Sequence, residues 1–265
     1  MLTNAAHLRG LTIQAIDGTL GTVDQIYFDD QTWAIRYLTV DTDWLGDRKV
    51  LISPFSFIGM DWPARRLDVA LTKKQVENSP SIDTQRPVSR QYETEYLGYY
   101  GYPLYWGGPS MWGPGSYPLG LTNRIPAPKE VLAEKVRQAS MDSHLRSTTA
   151  VTGYHIEAED GEIGHVAGFV MDDETWAIRY IEVATRNWWP GKKVLVSPAW
   201  IQKVSWAESN VYVGLYRDAI KTAPTYVDSV PISREYEHRL YLHYGRPPYW
   251  IHEDNENRVT SLVGV

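Results

Sequence analysis

Cysteine is absent from the 265 residues, which excludes disulfides and thiolate-held zinc or iron–sulfur clusters. Phenylalanine is scarce, with 4 residues against 11 Trp and 18 Tyr. Trp and Tyr join an apolar body to a polar tip, a bias that suits rims, interfaces and shallow cores. No stretch approaches the roughly 20 apolar residues that span a bilayer. Met1 to Gly10 lacks the charged start, apolar run and small-residue cleavage site of a secretory signal, so a soluble, cytoplasmic protein without a membrane span is expected. Positive charge is in the minority, with a net charge of −6, and no global field attracts phosphates or anionic lipid. No nucleic acid partner is expected on that ground.

Motifs are missing too. There is no phosphate-binding or dinucleotide-binding glycine loop and no Gly-x-Ser-x-Gly elbow. The histidines are His7, His144, His155, His165, His238, His243 and His252, and no pair has the helical spacing joined to a Glu that a metalloprotease needs. His155 and His165 fall on neighbouring predicted strands, but Thr12 and Thr22 hold the matching places in the first half of the chain. Catalytic, cofactor-binding and metal-binding residues are therefore assigned to none, and the protein is read as non-enzymatic.

What is present is a repeat. Asp29-Asp30-Gln31-Thr32-Trp33-Ala34-Ile35-Arg36-Tyr37 returns as Asp172-Asp173-Glu174-Thr175-Trp176-Ala177-Ile178-Arg179-Tyr180. Each copy reads as strand, turn, strand. The period of two places Trp33, Ile35 and Tyr37 on one face of the outgoing strand, expected to be fully buried, and Ala34, Arg36, Leu38 and Val40 on a mixed one. Trp33 and Trp176 are expected to be equivalent and buried, as core rings. The Asp pairs read as turn residues, because an Asp carboxylate accepts from backbone N–H groups just ahead of it. A calcium loop would need further oxygen ligands that Gln31-Thr32-Trp33 does not supply.

The repeat extends in both directions. Asp17-Gly18 and Asp160-Gly161 are hairpin signals, and Gly21 and Gly164 mark bulges or close backbone approach. Val50-Leu51-Ile52-Ser53-Pro54 and Val194-Leu195-Val196-Ser197-Pro198 are short buried strands ended by proline. Thr72-Lys73-Lys74-Gln75 has the form of a capping box, and Ser89 and Ser233 stand as N-caps of a further helix in each copy. Both copies end in an aromatic arm, Tyr96 to Trp106 and Tyr241 to Trp250. Residues 107 to 127 are a Gly/Pro-rich linker, a helix is predicted from Pro128 to about Gln138, and the tail carries an acidic patch followed by Val259, Leu262 and Val263. The resulting division is 7–84, 85–106 as helix and arm, 107–147 as linker with helix, 148–228, and 229–265 as second arm and tail.

With these motifs the chain closely resembles the PRC-barrel family, and the second copy matches as well as the first. The resemblance covers both halves and, for the tandem bacterial proteins it most looks like, the arms. It implies a mainly β fold of two tandem small β-barrels with short helices. Members known in function include the cytoplasmic domain of the photosynthetic reaction-centre H subunit and the C-terminal domain of a bacterial ribosome-maturation factor. Both act by docking to large assemblies. The transmembrane helix of the first and the N-terminal domain of the second are absent here, so neither specific role transfers.

The expectation is a protein-docking or assembly module with an unidentified protein partner. The candidate interaction surface is Tyr99, Tyr102, Tyr105, Trp106, Trp188, Trp189, Tyr249 and Trp250. The arms are expected to pack mainly within the chain, with leftover aromatic surface serving self-association as a homo-oligomer. The alternatives are an RNA- or ribosome-associated docking factor and an enzyme using carboxylates at a barrel lip.

Overall fold

The computed structural model describes residues 1–42, 44–46, 48–80, 88–113, 115–118, 144–185 and 192–251. The fold is mainly β, built from two mixed sheets and short helices. In the first repeat the strands are β1 (Leu2–Asn4), β2 (Thr12–Ala15), β3 (Gly18–Asp29), β4 (Ile35–Asp41), β5 (Val50–Ile52), β6 (Phe57–Asp61) and β7 (Arg66–Val69). Helices α1 (Lys73–Glu77) and α2 (Arg90–Tyr100) follow. β8 (Leu145–Ser147) and α3 (Thr148–Val151) lead into β9 (His155–Ala158), β10 (Gly161–Asp172), β11 (Ile178–Ala184), β12 (Lys193–Val196), β13 (Ile201–Ser205) and β14 (Asn210–Val213). The chain then runs through α4 (Arg217–Thr222), β15 (Thr225–Tyr226) and α5 (Arg234–Tyr244).

One sheet has the order β5-β4-β3-β2-β7-β6 with β8 beside β3; the other has β13-β14-β9-β10-β11-β12-β15 with β1 beside β10. Among the described pairings, β2–β7 and β9–β14 are parallel and the others antiparallel. The paths are open: among the described residues no strand pairing closes either into a barrel. The expected linker helix over 128–138 and the aromatic loop tip at Trp188-Trp189 lie outside the described residues.

Two compact units emerge, and they do not coincide with the repeats. Residues 1–152 join 168–179 in the first, and 153–167 join 180–265 in the second. The reason is that the tip of the β10–β11 hairpin belongs to the first unit, where it exchanges bonds reciprocally with the β3–β4 tip. Ile35 N–H donates to the Trp176 carbonyl at 2.8 Å and Ile178 N–H to the Trp33 carbonyl at 2.7 Å, around an Ala34–Ala177 bridge. β1 sets Leu2 opposite Asp172, and β8 sets Leu145 opposite Asp29. Each leading strand thus pairs with the long strand of the other repeat. Residues 145–147, read from sequence as linker, are a structural strand.

Two expectations about the hairpin need correction. Trp33 and Trp176 are not strand residues: both adopt left-handed backbone, with φ of 57° and 59°. The turn closes when their N–H groups donate to the Asp29 and Asp172 carbonyls at 2.8 Å each. A bulky residue is rarely stable there, and the reciprocal bonds accepted by each Trp carbonyl hold the conformation in place. Nor are the rings equivalent in burial. Trp176 is buried against Phe57, ring centres 4.6 Å apart, whereas Trp33 is half-buried and stacks on Phe28 at 5.2 Å. In addition β4 is buried on both faces from Ile35 to Val40, Arg36 included.

Other local features follow the sequence directly. Asp29 Oδ1 accepts from the N–H groups of Gln31 at 2.9 Å and Thr32 at 3.1 Å, the turn geometry its residue type favours. Thr72 and Gln75 satisfy each other's backbone N–H groups, and Ser89 and Ser233 cap α2 and α5. Gly21 and Gly164 sit where a Cβ would lie 1.9 Å from the Asp41 carbonyl oxygen and 2.1 Å from that of Ala184. Only glycine lets those strands come so close.

Candidate functional site

Each arm returns along its own helix, and the helix start explains where it stops. Ser89-Arg90 and Ser233-Arg234 open α2 and α5, and Glu93 and Glu237 stand one turn further in, so a cation and a carboxylate face the returning Tyr-Trp pair.

In the first unit this place is sealed. Glu93, wholly buried, accepts from Tyr37 at 3.0 Å and Tyr105 at 2.6 Å, and His144 Nε2 lies 3.0 Å from it. Arg90 donates to the Tyr105 hydroxyl at 2.8 Å and lies 3.5 Å from Glu93. Arg36, also buried, reaches Thr32 at 2.9 Å and Asp29 at 3.6 Å. Its guanidinium lies 3.7 Å from the centre of the Tyr105 ring and 4.6 Å from that of Trp112. Two guanidinium groups thus face two carboxylates, the balance that a buried charge cluster needs. Burial, and next the Glu93 charge, push the Tyr37 and Tyr105 hydroxyls far up, so both remain donors. Trp112 forms the lid. Its Nε1 donates to the Thr175 carbonyl at 2.8 Å and its ring meets Phe55 edge-on at 5.0 Å.

In the second unit the same residue types meet without a lid among the described residues. Glu237 accepts from Tyr180 at 2.6 Å and Tyr249 at 3.1 Å, with Arg234 at 3.0 Å. Trp250 lies against Arg234 at 4.2 Å, Tyr241 at 5.3 Å and His238 at 5.1 Å. The deciding difference is exposure: the Arg90 side chain is 7% accessible and that of Arg234 is 54%.

The predicted surface residues therefore divide. Tyr105 is interior, a hydrogen-bonded member of the sealed cluster. Tyr102 is half-buried on Phe55, and Trp106 is half-buried 4.4 Å from Arg90. Tyr99 is exposed, with its hydroxyl tied to the Gln75 carbonyl at 2.8 Å. Tyr249 and Trp250 are half-exposed and adjoin the exposed Ile251. Trp188 and Trp189 lie outside the described residues. The structure brings together Tyr105 with Trp106 and Tyr249 with Trp250, one pair in each unit. Sequence reasoning missed Arg36, Arg90, Glu93, Trp112 and His144. Its available signal was the matched Ser-Arg-x-Tyr-Glu at 89–93 and 233–237, read there only as a helix start.

The carboxylates of the repeated Asp pairs are engaged in turns and ion pairs. Asp30 meets Arg146 at 2.9 Å, and Asp172 meets Arg179 at 3.3 Å. His155 and His165 do stand opposite each other across β9 and β10, as Thr12 and Thr22 do across β2 and β3. His155 bonds Glu162 at 3.0 Å, yet among the described residues no group of His, Asp or Glu has an arrangement able to hold a metal ion. Nor, among them, is any helix long and apolar enough to cross a membrane. No protein-family model matches the chain, and no curated protein matches it.

Proposed function

We propose that this is a tandem PRC-barrel protein without catalytic activity, cytoplasmic, that docks a protein partner through its second aromatic arm. The reading is supported by the duplicated sheet-and-helix plan and above all by one observation: Tyr249, Trp250 and Ile251 leave aromatic and apolar surface accessible beside Arg234, where the first arm is closed. Aromatic residues beside an arginine are the composition that protein interfaces concentrate. The net charge of −6 argues against RNA as the partner, and the engagement of the turn carboxylates in ion pairs argues against acid–base chemistry.

Affinity capture with the full chain from its native cells, read by mass spectrometry, tests this. Tyr249→Ser with Trp250→Ser is expected to lose the enriched partner, and Tyr99→Ser in the first repeat to retain it. Retention by the double variant, or loss by both, would overturn the assignment. Light scattering on the same variants separates a foreign partner from a second copy of the chain: a mass that falls in the double variant identifies self-association.

A further inference from the structure

Away from the arm, the second unit holds an open groove of about 550 Å3 between the end of α4, β15 and one stripe of α5. The helical period brings Tyr236, Arg239 and Leu242-His243 to that side of α5. Two of them are committed to the fold: the Tyr236 hydroxyl donates to the Pro224 carbonyl at 3.2 Å, and His243 Nε2 lies 2.7 Å from the Ala219 carbonyl oxygen. The other two are not. Arg239 is exposed, and among the described residues its guanidinium makes no ion pair or hydrogen bond. Leu242 is 82% exposed, and Val227 and Val230, just past β15, are exposed too. No carboxylate lines the groove.

The first repeat shows that the fold does not need this pair. Tyr92 and Tyr99 make the same two clasps there, to the carbonyls of Pro80 and Gln75 at 2.8 Å each. Glu95 and Gly98 hold the places of Arg239 and Leu242, with open space where the Gly98 side chain would be. The clasp is shared and structural, whereas the cation beside a large apolar group belongs to the second helix. In a chain of net charge −6, an unneutralised guanidinium in a groove without carboxylates calls for a negative partner group. A bare anion would leave Leu242 in water, so the partner carries an apolar side chain next to its acid. Arg239 and Leu242 stand three positions apart on α5, roughly 5–6 Å between Cβ atoms. Side chains two positions apart in an extended chain share one face at about 6.6 Å, so one acidic and one apolar residue at that spacing reach both. Among the described residues β15 ends the order of its sheet, and Thr225 lines the groove, which suits an extended segment laid along that strand.

We infer that this groove docks an extended acidic segment of a partner protein, with a carboxylate on Arg239 and an apolar side chain two positions away on Leu242, beside β15. Tyr236 and His243, held by their bonds to the chain before α5, keep the walls fixed and leave Arg239 and Leu242 to choose the ligand. The arm residues Tyr249 and Trp250 do not line the groove, so it serves a second contact whatever the arm binds.

A library of random decapeptides displayed on phage tests it, selected on the full chain and counter-selected on its Arg239→Glu variant, a change at an exposed position. The surviving sequences are expected to place Asp or Glu two positions from Leu, Ile, Val or Phe. Synthetic peptides of those sequences are expected to bind at least tenfold more weakly to Leu242→Ser, measured by fluorescence anisotropy, and with unchanged affinity to the chain carrying Tyr249→Ser and Trp250→Ser. No survivor of the counter-selection, or survivors without the acidic–apolar pair, would overturn the proposal. So would survivors indifferent to Leu242→Ser and displaced by inorganic phosphate, which mark a bare anion site, or survivors lost with the arm residues, which mark the arm.

Discussion

Arg90 with Glu93 and Arg234 with Glu237 open matching helices and meet matching Tyr-Trp pairs, yet one cation is shut away from water and the other is half in it. Among the described residues the first cluster holds two partners that stand outside the repeat: the ring of Trp112 over Arg36, and His144 on the carboxylate. A duplicated set of residues has thus been turned to two ends. Closed, it is a polar core that orients the arm; open, it leaves aromatic surface available. Among the described residues, what closes the first copy comes from outside the repeat, namely Trp112 and His144.

The largest test of that difference is the lid. Trp112→Ala should destabilise the first unit by about 3–5 kcal/mol, since it removes a buried ring from both Arg36 and Phe55. Trp250→Ala should cost about 1–2 kcal/mol, because its ring is only half-buried. Urea denaturation midpoints measure both, and equal losses would break the comparison.

The carboxylates come next. Glu93→Gln keeps the shape but leaves Arg90 and Arg36 facing a single charge, at a cost of about 3 kcal/mol. Glu237→Gln should cost about 1 kcal/mol, as water screens Arg234. Thermal unfolding of the two variants sharpens the contrast, and a larger loss for Glu237→Gln would reverse it.

The smallest effect, about 1 kcal/mol, concerns pH and the two turns. Burial pushes the Asp172 carboxyl up, but the Glu174 N–H, Arg179 and Thr175 more than offset it, and the group lies below its ordinary value. It therefore adds stability above the ordinary Asp range that is lost as pH falls through its lowered pKa. For Asp30 burial prevails over Arg146 and the carboxyl lies above its ordinary value, so the parent loses stability as pH rises through that raised pKa. Asp172→Asn should then be most damaging near neutrality, and Asp30→Asn least damaging there. Stability curves of both variants against pH that run in parallel would remove the distinction.

Much of this architecture was legible from local chemistry. The repeat, the glycines at crowded strand crossings, the Asp turns and the Thr72 and Ser89 caps depend on residues close in sequence, where a side chain's own geometry decides the outcome. The site was less legible. Arg36 looked like the polar face of a half-buried strand, because alternation says nothing of a tryptophan 76 positions later that will cover it. Trp33 looked like a core ring on a strand, since aromatic residues favour strands and only the reciprocal backbone bonds make a left-handed turn tolerable there. Tyr105 looked like surface because a Gly/Pro-punctuated run gives no period from which to infer burial, whereas three distant residues, Glu93, Arg36 and His144, take it inside.

The exchange of leading strands also governs the order in which the chain can fold. β3 is complete by residue 29, but its partner β8 begins at residue 145, and β1 must wait for residues 170–172. More than a hundred residues separate each pair, so both closures are non-local steps that carry a large loop entropy and belong late in folding. During synthesis the far end of β3 leaves the ribosome with an unmatched backbone edge. That edge is open to a wrong partner until residue 147 has emerged.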